Sequence, residues 1–103
     1  MRIIAKKTLV KFALENTSAK NSLEAWFKEA EESVWEKPGD IIRDYPSADV
    51  ITGKRFVFNI KGNHFRLIAD VEFRLKIVFI VWIGSHSAYD RINVKEAKYV
   101  KDN

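Results

Sequence analysis

The chain contains no cysteine. That excludes a disulfide framework, a thiol nucleophile and any cysteine metal site, and it fits a reducing compartment. Histidine is nearly as scarce, with only His64 and His86. No HExxH motif or carboxylate constellation accompanies them, so no metal site is expected. A Gly-rich phosphate loop is also missing. The opening residues Met1-Arg2-Ile3-Ile4-Ala5-Lys6-Lys7 lack the apolar core of a signal peptide. The longest apolar run, residues 77–84, is far too short to cross a bilayer. These absences lead to an expectation of a soluble, cytoplasmic protein without cofactor, metal or membrane attachment. At 103 residues it should form one domain, 1–103.

What is present is an ordinary globular mixture, 47% hydrophobic and 31% charged, with no signature of disorder. The net charge of +4 is unevenly spread. Residues 1–51 hold 8 Lys/Arg against 9 Asp/Glu, whereas residues 52–91 hold 7 against 3. Positive charge therefore collects on the second half, and a basic patch attracts polyanions. A merely solubilising excess of cations is the plainer reading of the total.

Periodicity divides the chain into helices first and strands second, an α+β order. Arg2-Ile3-Ile4 reads as a short strand. Residues 5–15 read as a helix with Ala5, Leu9, Phe12 and Ala13 on one face. A second helix is expected from an N-cap at Ser18 to about Trp35, with Leu23, Trp26, Phe27, Ala30 and Val34 inward. Residues 40–45 suggest one helical turn, and residues 47–53 a loop.

Three strands then follow in residues 55–85, and pattern alone registers them. Gly62-Asn63 signals a tight hairpin turn. That turn pairs Asn59 with Arg66, Val57 with Ile68 and Arg55 with Asp70. A one-residue slip would set Phe58 against the polar face. A three-residue turn at Arg74-Leu75-Lys76 would pair Phe73 with Ile77, Val71 with Phe79, Ala69 with Val81 and Leu67 with Ile83. Ile68 then meets Trp82, Arg66 meets Gly84, and His64 lies near His86. On this register the helices cover Phe56, Phe58, Phe65, Leu67, Phe79 and Val81. The other face stays partly open, floored by Val57, Ile68 and Ile80.

One corner of the open face collects Lys61, His64, Arg66 and His86, with Asn59 beside Arg66 and Tyr89 three residues past His86. Metal-free cleavage of RNA needs a base for the 2′-hydroxyl, an acid for the leaving 5′-oxygen and charge on the phosphorane stabilised. Histidine serves as acid or base near neutrality, and arginine offers a planar fork for phosphate oxygens. Each residue also has an ordinary explanation. Arg66 could pair with a surface carboxylate, His64 sit idle beside a turn, and His86 cap a helix or pack on Trp82. Tyr89 could anchor a core edge, and Lys61 add solubility. The convergence of these groups, more than any one of them, points to a phosphodiester substrate. A non-catalytic RNA-binding domain and a protein acting on a protein target remain the alternatives.

The segment Phe56-Val57-Phe58-Asn59-Ile60-Lys61-Gly62-Asn63-His64-Phe65-Arg66-Leu67 resembles the central hairpin of HigB-family toxins. Gly84-Ser85-His86-Ser87-Ala88-Tyr89-Asp90 is similar to the family's closing motif, with Ser85 in place of threonine. The lead-in from Lys37-Pro38 to Tyr45-Pro46-Ser47 fits as well. The resemblance implies a RelE-like fold, with two N-terminal helices packed on one face of a small antiparallel β-sheet. It implies an mRNA endoribonuclease of a type II toxin–antitoxin system, acting on the translating ribosome by 2′-hydroxyl attack. The implied partners are a HigA-like helix-turn-helix antitoxin and mRNA, with operator DNA reached only through the antitoxin. Carried over by position, Arg66, His86, Tyr89 and His64 are the candidate catalytic residues. Lys54, Arg55, Asn59, Lys61, Lys76 and Arg91 are candidate RNA contacts.

Overall fold

A computed structural model describes residues 1–99. Strand β1 (Arg2–Ile4) leads through Ala5, whose φ of 72° turns the chain sharply, into helix α1 (Lys6–Glu15). A single 3-10 turn (Thr17–Ala19) joins α1 to helix α2 (Lys20–Glu32), and helix α3 follows (Pro38–Asp44). Four strands come next: β2 (Asp49–Val50), β3 (Arg55–Ile60), β4 (Phe65–Glu72) and β5 (Ile77–Ser85). A one-turn helix, α4 (His86–Tyr89), ends the regular structure. The α+β class holds, with four helices and five strands among the described residues. None of these helices is long and apolar enough to cross a membrane.

The sheet is mixed, where an antiparallel one was expected. Its order is β1-β5-β4-β3-β2, and β1 runs parallel to β5. Between those two strands the chain passes through the helices, and a crossover of that kind returns a strand parallel to its neighbour. The loop expected at residues 47–53 contains β2, which pairs Asp49 with Val57. The second helix also differs from expectation at both ends. Ser18 lies in the 3-10 turn and Ala19 stands at the N-cap, without a side-chain bond. The helix stops at Glu32, so Val34 points outward and is 68% exposed.

Leu23, Trp26 and Ala30 recur at helical spacing and are buried with Leu9 of α1 against Phe56, Phe58 and Leu67. Phe58 is the centre of this layer. The Trp26 and Tyr45 rings meet it edge-on at 5.2 Å, and Trp35 stacks on it at 6.2 Å. The Trp35 indole donates to Asp44 at 2.9 Å, which gives its N–H a partner while the ring stays in the core.

The β3–β4 register is the expected one throughout, from Arg55 opposite Asp70 to Ile60 opposite Phe65. The β4–β5 register holds only near the site, where Arg66 meets Gly84, Leu67 meets Ile83 and Ile68 meets Trp82. A bulge follows between Ile68 and Ala69, and beyond it Ala69 meets Ile80, Val71 meets Val78 and Glu72 meets Ile77. The turn therefore spans residues 73–76 instead of three residues, and Phe73 does not pair with Ile77. Because one extra residue inverts the alternation, Ile80 joins the helix-side core, while Phe79 and Val81 face the other way.

That other face is more covered than expected. Residues 91–99 cross it, and Ile92, Val94 and Ala97 pack toward Val57, Ile68 and Val81. Arg55 fixes this strap. Its guanidinium binds both oxygens of Asp70, at 2.6 and 2.8 Å. Its remaining donors reach the carbonyls of Val94 at 2.9 Å and Ala97 at 2.6 Å. Only 12% of the Arg55 side chain is exposed.

Two predictions follow from this packing. Arg55→Ala leaves Asp70 and the carbonyls of Val94, Lys95 and Ala97 without their donor, so urea unfolding should show a loss of about 2–3 kcal/mol. Amide exchange in residues 92–97 should rise more than in β3, and uniform protection would refute the clamp. The second prediction concerns acid. The indole N–H of Trp35, aided by Arg43, holds the Asp44 carboxyl below its usual value. A depressed acid stabilises the fold fully above the unfolded carboxyl pKa, about 3.9, and loses that contribution as pH falls through the lower folded value. The urea midpoint should therefore fall as the pH drops below about 4, and Asp44→Asn should shrink that drop.

Candidate functional site

The corner is built where β5 runs out. Ser85 stays extended, and its hydroxyl accepts from the Ala88 N–H at 3.1 Å, capping α4 and turning the chain back. The His86 N–H bonds to the His64 carbonyl at 3.0 Å, so the ladder continues one step past the strands and makes the two histidines backbone neighbours. The His86 imidazole then meets Asp90 one turn later, with Nδ1 3.1 Å from a carboxylate oxygen. A carboxylate on Nδ1 fixes the ring and leaves Nε2 available for proton transfer.

Arg66 projects from β4 onto the same face. Two of its N–H groups bond to Asn63, at 3.2 Å to the carbonyl and 2.8 Å to the side-chain oxygen. Its guanidinium carbon lies 5.9 Å from the Tyr89 ring centroid. Among the described residues no carboxylate pairs with Arg66. The surface-ion-pair explanation for this arginine is therefore not what the structure contains. A guanidinium with unused donors, oriented by an asparagine and an aromatic ring, is suited to binding an anion.

Tyr89 is partly buried against Trp82, with ring centroids 6.2 Å apart. Burial pushes its phenol above the usual value, and nearby Asp49 pushes the same way, against the pull of Arg66. The hydroxyl is thus a proton-bearing donor at neutral pH, not a base. Trp82 lies directly over Gly84, where a Cβ would stand 2.4 Å from the indole ring. Glycine is what lets the ring lie down toward the corner.

The other predicted residues divide into two groups. Asn59 sits opposite Arg66, but its amide donates to the Ser47 carbonyl at 3.1 Å and so ties down the approach to β2. Lys61 and His64 are exposed at the hairpin turn, and Arg91 is exposed just after α4. Lys54, Arg55 and Lys76 do not belong to the corner. Lys54 and Arg55 lie at the far end of β3, about 14 Å along the strand from Asn59, and Arg55 is spent on Asp70 and the strap. Lys76 sits at the distant β4–β5 turn, with its ammonium 3.4 Å from the Trp35 carbonyl. Among the described residues no group of three or more His, Cys, Asp or Glu is placed to hold a metal ion.

Two participants escaped the reading from sequence. Trp82 was placed on the correct face but given no role, although Trp82-Ile83-Gly84 in one strand signals a bulky ring beside an empty position. Asp49 was hidden because its two-residue strand resembles a loop.

Comparison with known proteins places the chain in a family. The model of the HigB toxin, a RelE-like toxic component of a toxin–antitoxin system, matches residues 19–92. That span holds every candidate site residue. The mRNA interferase HigB of Escherichia coli O6:H1 (strain CFT073) is 25% identical over 105 residues, covering 100% of this chain and 98% of the relative. The mRNA interferase toxin HigB of Escherichia coli K12 is 29% identical over 92 residues, covering 87% of this chain and 88% of the relative. The mRNA interferase HigB of Shigella flexneri matches to the same extent. With more than half of its length matched by the family model, the chain belongs to the HigB toxin family.

Proposed function

We propose that this chain is an mRNA endoribonuclease, the toxin of a type II toxin–antitoxin pair, which arrests translation by cutting transcripts on the ribosome. The supporting observation is the juxtaposition of Arg66, which has no carboxylate partner, with the His86–Asp90 pair and a protonated Tyr89. The names of the relatives point the same way.

In this reading the scissile phosphate sits on Arg66, whose free N–H groups bind the non-bridging oxygens and hold them more tightly as charge builds on the phosphorane. His86, oriented by Asp90, takes the proton of the 2′-hydroxyl. The 2′-oxygen then bonds to phosphorus and the 5′-oxygen leaves, giving a 2′,3′-cyclic phosphate and a 5′-hydroxyl. His64, whose backbone adjoins His86 on the ladder, returns a proton to the leaving oxygen. Tyr89 donates a hydrogen bond to the phosphate and lends its ring to a flanking base. Lys61 and Arg91 attract the RNA backbone from either side. The RelE-like arrangement, with α1 and α2 backing the sheet, leaves this corner accessible to a ribosome-bound transcript. A HigA-like helix-turn-helix antitoxin neutralises the toxin and carries it to operator DNA. Toxin, antitoxin and ribosome meet in the cytoplasm.

Arg66→Ala should reduce transcript cleavage by about a hundredfold or more. His86→Ala should cost a similar factor. Asp90→Asn should cost about tenfold, since it loosens the imidazole without removing it. Cleavage rates on translated and on free RNA, beside growth after expression of the chain alone, measure these effects. If the Arg66 and His86 variants both stay fully toxic, the site is elsewhere. Arrested cells with intact transcripts in primer extension would indicate a protein target instead.

A further inference from the structure

Arg66 has to meet two demands that pull apart. Its guanidinium must be held in one orientation, and its charge must stay free for an anion. A carboxylate partner would meet the first demand and defeat the second. Asn63 meets both. Its side-chain oxygen accepts from one terminal nitrogen of Arg66 at 2.8 Å, and its backbone carbonyl accepts from the other at 3.2 Å. Two of the five guanidinium N–H groups are thereby used, both on neutral acceptors, and three are left for an anion. The Tyr89 ring flanks the same group at 5.9 Å.

Asn63 stands in the exposed loop between β3 and β4, yet that loop is tied down. The His64 N–H bonds to the Lys61 carbonyl at 3.2 Å, and the His64 carbonyl accepts from the His86 N–H at 3.0 Å. Lys61 and Gly62 are both left-handed, with φ of 53° and 61°. A Cβ on Gly62 would meet nothing within 4 Å, so glycine serves there through its backbone freedom alone. Lys61 carries a Cβ and still takes up this disfavoured conformation. Such conformations persist where the surroundings hold them, and they cluster at functional sites. The two left-handed residues bring the chain round so that both oxygens of Asn63 reach a side chain three residues on.

Turn chemistry does not explain why the residue is an amide. Aspartate suits turns as asparagine does and has the same reach. Beside an arginine it would also bind more strongly, because a charged acceptor strengthens the hydrogen bond. On stability alone aspartate is the better residue, and asparagine leaves the arginine its charge.

We propose that Asn63 is a positioning residue for the anion-binding arginine: it orients the Arg66 guanidinium through two neutral acceptors, and the left-handed pair Lys61-Gly62 holds it in place. That the anion is the scissile phosphate of RNA rests on the endoribonuclease reading above. Asn63 touches no reacting atom and acts through Arg66.

The test uses two readouts on the whole chain: cleavage of a translated transcript, and binding of a 2′-O-methyl RNA hexamer, which 2′-hydroxyl attack cannot cut. Asn63→Ala releases the guanidinium and should lower the cleavage rate about tenfold. Asn63→Asp keeps the orientation and cancels the charge, so its loss should approach that of Arg66→Ala, about a hundredfold. Hexamer affinity should fall in the same order. In an Arg66→Ala background Asn63→Ala should cost nothing further, since its effect passes through Arg66. In ¹⁵N spectra the Arg66 Nε–H should be sharp in the parent and in Asn63→Asp, and broadened in Asn63→Ala. An Asn63→Asp variant as active as the parent, or an undiminished loss from Asn63→Ala when Arg66 is absent, would overturn the proposal and leave Asn63 a turn residue only. The two readings fail separately. Hexamer binding in the expected variant order by a chain that cuts no RNA removes the nuclease reading and keeps the positioning role. Transcript cleavage indifferent to both Asn63 variants removes the positioning role alone.

Discussion

The β-bulge opposite Ile68 and Ala69 is the constraint on which both faces of this protein depend. Strand β5 has to satisfy two surfaces with one period-two pattern. Its first half must send Val78 and Ile80 into the helix-side core, and its last residues must send Trp82 and Gly84 to the front. Those four positions share one parity, so an unbroken strand would place them all on one face. The inserted residue reverses the alternation once, and Val81 and Trp82 face the same side as consecutive neighbours. The core and the corner are thereby built from a single strand, and the bulge lies at the boundary between them.

The same logic explains why Arg55 and Arg66, both on the front face of one hairpin, serve different ends. Arg55 lies where the strap crosses, and Asp70 opposite it supplies a carboxylate in bidentate geometry. The pair is mostly covered, and the strap carbonyls satisfy the remaining donors. A covered ion pair is favourable only when its leftover hydrogen-bonding groups are answered. Arg66 stands opposite Asn59, which brings no charge. It is left with Asn63 and the Tyr89 ring. Cross-strand partners, not residue type, separate the structural arginine from the binding one.

The hairpin and the corner were legible in the sequence because β3 and β4 alternate cleanly and Gly62 marks their turn. With Asn59 opposite Arg66, the extrapolation to His64 beside His86 needed only local counting, and the ladder bond between them bears it out. The errors lie where local pattern carries no information. Residues 77–83 are apolar at every position, so a bulge inside them leaves no trace in hydropathy. The burial of Arg55 depends on the strap, whose contacts with β3 span about forty residues of sequence. The parallel pairing of β1 with β5 is likewise long-range, and three residues are too few to declare a direction. Lys54 and Lys76, candidate RNA contacts by charge, lie a strand's length from the corner, a distance that charge in the sequence does not register.

An unpaired cation on a sheet is a cost to the folded state, since Arg66 sits in a region already rich in positive charge. Pairing it with a carboxylate at position 59 would relieve that repulsion, and would also occupy the donors an incoming phosphate needs. The fold instead places its stabilising contacts behind the sheet, where Trp26, Trp35 and Tyr45 surround Phe58. Phe58 directly precedes Asn59 and pairs with Leu67, the residue after Arg66, so a fully buried aromatic cluster lies just beneath the corner. Close-packed backing permits an exposed site to keep its geometry while its charge stays uncompensated, and sites that bind anions are where such local electrostatic strain is expected.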